Sequence, residues 1–131
     1  MALGSGSIVG SYIGTTVAED TLLSGSAAVT PQDITSSGGS LYQIYIDNSL
    51  NTSQQVYLKL YQLTASTVTS TGVGTAPPDF IFPCAGGAIR QFDFPDGLAF
   101  AARLSMLVEI SAGTSGNTGP TNAVTVRISH G

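Results

Sequence analysis

The sequence predicts one all-β domain, a β-sandwich or jelly roll of about seven or eight short antiparallel strands with an N-terminal arm. Three observations predict it. Apolar side chains recur every second residue in several separate runs, clusters of Gly, Pro, Asn and Asp divide those runs, and no long stretch carries apolar residues at helical spacing. A length of 131 residues fits a single domain of about 100–150 residues. Hydrophobic residues make up 42% of the chain, too many for a disordered polymer. Charged residues are only 9% against a usual level of about 25%, and Ser, Thr and 16 Gly take their place. A surface of hydroxyls and glycines suits β-structure shown to water or to other copies.

Residues 1–40 are poorer in large apolar side chains than the rest, so they read as an arm with one or two strands, near 8–17 and 22–29. Within the arm Ile8, Val9, Tyr12 and Ile13 stand among Gly and Ser. They are too few to build a core, and their glycines make ordering costly in isolation. They are candidate contact residues that order on a partner surface.

Residues 41–131 read as the sandwich core. Tyr42, Ile44 and Ile46 alternate with Gln43, Tyr45 and Asp47; Val56, Leu58 and Leu60 with Tyr57, Lys59 and Tyr61; Leu104, Met106, Val108 and Ile110 with Ser105, Leu107, Glu109 and Ser111; and Val124, Val126 and Ile128 with Thr125, Arg127 and Ser129. Leu58, Leu60, Val108, Ile110, Val124 and Val126 are expected to face inward. Asp47 to Asn51 suits a short hairpin loop, because Asn and Asp tolerate left-handed backbone. Pro77 and Pro78 break any ladder near Thr75 to Asp79. Cys84 to Gly87 reads as a hairpin turn between Phe80–Phe82 and Ile89–Phe94, and Pro95-Asp96-Gly97 as a further turn. Leu98 to Met106 suits either one or two helical turns or a loop. Gly113 to Asn122 is a polar loop before the last strand.

One strand breaks the pattern. Residues 56–63 are apolar on both faces, with Val56, Leu58 and Leu60 on one and Tyr57, Tyr61 and Leu63 on the other, interrupted only by Lys59. Either the arm or a loop of the same chain covers the second face, or Tyr57, Tyr61 and Leu63 lie in a subunit contact, where Tyr offers an apolar body and a polar tip.

Candidate chemistry is sparse. His130, the single histidine, lies one residue from the end of the sequence, where chains commonly fray. Cys84 is the single cysteine, so no disulfide framework exists, and without a base or cationic neighbour it reads as a small half-buried residue. A reducing cytosol fits best as the place of synthesis. Asp79, Asp93 and Asp96 flank two turns, but their spacing matches no calcium loop, and Asp in a turn is explained by its own backbone hydrogen bonds. Two carboxylates without Trp platforms or room for a cleft do not make a glycosidase. No phosphate loop, CxxC or HxxxH spacing occurs. No catalytic residue, cofactor or metal is expected.

The net charge is −4 and the four basic residues, Lys59, Arg90, Arg103 and Arg127, are scattered. Neither nucleic acid nor an anionic membrane surface is therefore an expected partner. No apolar run is long enough for a transmembrane helix, and the glycine-broken start makes a poor signal peptide.

Four segments resemble small β-rich structural proteins of tailed bacteriophages, particularly capsid decoration (cement) proteins. They are VYLKLY at 56–61, VGTAPPDFIFPCAGG at 73–87, FDFPDGLAFAARLSMLVEISAG at 92–113 and GPTNAVTVRIS at 119–129. The resemblance covers most of residues 56–129 and leaves residues 1–40 outside. It implies a non-enzymatic virion component, made in the host cytoplasm, commonly a homotrimer, bound to the major capsid protein on the outer capsid surface and clamping neighbouring capsomers. A trimer would repeat each weak contact and gain avidity. Other readings are a tail, collar or fibre-attachment protein, and a carbohydrate-binding β-sandwich for host attachment. The last needs an exposed aromatic platform.

Overall fold

Each strand with period-two alternation has one apolar face, and two sheets bury those faces against each other. The structure, a computed structural model, describes the backbone of residues 16–22 and the whole of residues 30–131. Among them lie β1 (Thr16–Leu22), β2 (Gln32–Thr35), β3 (Gly39–Asp47), β4 (Val56–Tyr61), α1 (Ala65–Thr71), β5 (Phe80–Cys84), β6 (Ile89–Phe100), β7 (Leu104–Glu109) and β8 (Val124–His130). One four-stranded sheet has the order β1-β8-β3-β6, the other β2-β7-β4-β5.

The pairings are nested. β1 pairs with β8, β2 with β7, β3 with β6 and β4 with β5, all antiparallel. A long two-stranded ribbon, folded at the β4–β5 connection and rolled up, gives that order. It is a jelly roll. The core lies between the sheets. Ile44, Ile46, Val124, Val126 and Ile128 come from one sheet, and Val56, Leu58, Leu60, Met106 and Val108 from the other. Five of the six residues expected to face inward are at most 1% exposed, and Ile110 is half-buried against the same core.

Several local expectations change. The loops at 47–51 and 84–87 are not hairpins. β3 and β4 belong to different sheets, as do β5 and β6, so both loops cross from one sheet to the other. Nor do Asn and Asp act there through left-handed backbone, since among the described residues positive φ occurs only at glycine. They act through side-chain hydrogen bonds. Pro95-Asp96-Gly97 lies inside β6. Leu41 pairs with Leu98 and Gln43 with Asp93, so residues 94–97 bulge out opposite Tyr42. Gly97 carries the bulge at φ +82°, where a Cβ would meet Ser40 at 3.0 Å. Residues 98–106 form no helical turn. β6 runs to Phe100 and β7 starts at Leu104.

The helix is elsewhere. α1 follows β4 and, with residues 72–79, covers the outer face of the second sheet. Val68 and Ala76 pack with Tyr61 and Leu107 in a second small core, with Leu63 and Val73 at its edge. The second apolar face of β4 is thus covered by its own chain.

Candidate interaction surface

The outer face of the second sheet carries paired rows on the two central strands. Tyr57 stands opposite Glu109, Lys59 opposite Leu107 and Tyr61 opposite Ser105. Lys59 and Glu109 form an ion pair with side chains 0% and 1% exposed. The loop after β7 closes over them. Gly116, at φ +109°, would place a Cβ 3.4 Å from the Glu109 carboxylate, and Gly74 approaches the Gly116 backbone from the α1 side. Burial pushes the Tyr61 hydroxyl up to about 12. Tyr61 is only 1% exposed and Leu63 is half-buried against the second core. This corrects the expectation of a subunit contact at Tyr61. The helix that buries it follows directly in sequence, but its Ser/Thr-rich stretch has little apolar periodicity. Tyr57 remains half-buried. Ile8, Val9, Tyr12 and Ile13 lie outside the described residues.

At one end of the sandwich three crossings meet: residues 48–55, 85–88 and 119–123. Buried Asn48 donates to the carbonyls of Gln54 (2.8 Å), Ala85 (3.1 Å) and Cys84 (3.4 Å). Its own carbonyl oxygen accepts from the Asn51 amide at 3.0 Å. Asn51 in turn donates to the Asn122 carbonyl and accepts from the Asn122 N–H, at 3.0 and 2.7 Å. The Gln54 side chain accepts from the Thr121 N–H at 2.8 Å. Gly86 lets residues 84–88 press on this loop, since a Cβ there would sit 3.0 Å from the Gln54 N–H and the Thr52 carbonyl. Short amide side chains therefore fix loops that have no ladder of their own. Over this frame stand Leu50, 64% exposed, and Ile89, 54% exposed. A polar hollow of about 180 Å³ lies beside Leu50 against Thr52, Ser53 and Thr121. This end was not singled out in the sequence. The asparagine spacing reads as a turn, and the partners across the loops become visible only once the sheets are stacked.

His130 lines a groove of about 420 Å³ with Ile34, Thr35, Ser37 and Phe100. Its Nε2 is buried without a hydrogen-bond partner among the described residues. Burial holds its pKa below the usual histidine value. Cys84 is buried under β3, and burial pushes its thiol up, away from the nucleophilic thiolate. Asp79 accepts from the Gln62 N–H and Asp93 from the Gln43 and Gln91 amides. Among the described residues no three His, Cys, Asp or Glu side chains gather where a metal would need them. Nor, among those residues, is any helix long and apolar enough to cross a membrane.

No family model matches the chain, and no curated protein does. A chain from the X-ray structure of tomato aspermy virus does match. It is 10% identical, the match covers 88% of this chain and 76% of that one, and the TM-score is 0.41.

Proposed function

We propose that this protein is a non-enzymatic structural component of a virion, and specifically a capsid decoration protein that binds the outer capsid surface. The observation that carries the reading is the amide-braced end of the sandwich. It presents Leu50 on a loop held by side-chain bonds, beside Ile89 at the start of β6, and both are exposed to solvent. A contact surface already fixed in the free protein loses little entropy on binding. An exposed Leu50 beside the hydroxyls of Thr52, Ser53 and Thr121 matches the anatomy of a protein contact. The isolated histidine, the buried thiol and the enclosed Lys59–Glu109 pair support a role in binding rather than catalysis. The four sequence segments that resemble decoration proteins favour the capsid over the tail. Association into trimers would multiply a modest contact.

Electron-microscopic reconstruction of particles from producing cells tests this. Regularly spaced jelly-roll density on the outer head surface is the expected result. Density confined to the tail, or particles without the protein, would overturn the decoration reading. A companion measurement uses Leu50→Asp. It should lower occupancy on particles at least tenfold, about 1.4 kcal/mol, while the melting temperature stays unchanged.

A further inference from the structure

The enclosed ion pair is poorly served as an ion pair. Lys59 and Glu109 lie on neighbouring central strands, diagonal to one another across the β4–β7 ladder. The Lys59 Nζ touches the Glu109 Oε1. Among the described residues, its other acceptor is the Ser115 carbonyl, at 3.5 Å. The Glu109 Oε2 is buried with no hydrogen-bond partner among those residues. Two charges withdrawn from water need more partners than this to offset their lost hydration. The strands hold the Lys59 nitrogen against the Glu109 carboxyl group, with both side chains at most 1% exposed beneath the loop at Gly116. Well-oriented groups of this kind react as if at about 10⁵–10⁸ M.

We propose that Lys59 and Glu109 condense to an intrachain amide that clasps β4 to β7. Proton transfer from Nζ to the carboxylate first gives the neutral amine and acid. The Nζ lone pair attacks Cδ and a nitrogen–carbon bond forms. The bond from Cδ to Oε2 breaks, and Oε2 leaves with two protons as water, one from the acid and one from the amine. Nothing is oxidised or reduced, and no further reactant enters. The oxygen that departs is the one without a partner, and the amide N–H that remains faces the Ser115 carbonyl. Both buried charges disappear in the product.

The intact mass of the purified, folded chain decides the matter. The expected mass is one water below the sequence mass, after allowance for the initiating Met. Proteolysis should then release a branched peptide joining the 56–61 strand to the 104–109 strand. Lys59→Arg, which retains a cation but no competent amine, should show the full mass. The wild-type measurement does not depend on that variant folding. A wild-type chain at full sequence mass would overturn the proposal, as would a lost water mapped to any other pair of residues.

Discussion

Leu60 is 0% exposed on the inner face of β4, in the cluster formed by both sheets. Leu60→Ala should cost about 2–5 kcal/mol in denaturant unfolding, because the rigid sheets cannot collapse into the space. A cost below about 1 kcal/mol would mean the strand's faces are reversed. Alternation alone places Leu60 correctly, since a strand has only two faces. Tyr61 marks the limit of that logic. Alternation puts it on the outer face but cannot say what lies above, and a helix lies there. Tyr61→Asp should therefore lower stability by unfolding the outer layer, and sedimentation should show no selective loss of association. Asn48 was legible only as a turn residue. Its side chain serves three carbonyls, so Asn48→Ala leaves buried acceptors unmet. About 1–3 kcal/mol should be lost in chemical denaturation.

Elements were legible where core-facing apolar residues recur at every second position. β4, β7 and β8 follow the alternation, and their inner residues fall where it puts them, while in β3 Ile44 and Ile46 do so but the bulge between Leu41 and Gln43 puts Leu41 in the core and leaves Tyr42 half-buried. α1 escaped because only Val68 of its seven residues is buried, and a helix so short has almost no stripe. Its boundaries do carry signals. The Thr64 side chain caps the start by accepting from the Thr67 N–H at 3.1 Å, and Gly72 ends it at φ +106°. In β6 the Pro-Asp-Gly signal is genuine, but the neighbouring strand absorbs it as a bulge rather than a chain reversal. The Thr64 cap gives an element-scale prediction. Thr64→Ala should cost about 1 kcal/mol. The loss should be local: the Val68 and Gly72 amides should exchange faster while those of Leu58 and Val108 keep their protection.

The whole molecule is a rolled ribbon in which almost every connection crosses between sheets, so stability depends on groups at both ends being kept in one protonation state. His130, the last residue of β8, has its pKa lowered by burial from an ordinary 6.5. The unfolded chain then takes up a proton that the folded one resists, and stability falls as pH drops below 6.5. Asp47 accepts from Ser49, which lowers its pKa from 3.8, so its contribution is present above that value and is lost at still lower pH. The alkaline side has the opposite sign. Cys84 is raised above an ordinary 9.0 by burial, and Tyr61 from 10.0 to about 12. Each is kept protonated by the fold, so its contribution is intact below the ordinary value and fades as pH climbs through the raised one. The melting temperature should therefore be flat between pH 6.5 and 9.0 and decline on either side. His130→Gln should extend the plateau downward until the carboxylates begin to titrate. Thermal melts by circular dichroism at half-unit pH steps would check this. A melting temperature that kept rising above pH 9.0 would show that neither Cys84 nor Tyr61 is held neutral by the fold.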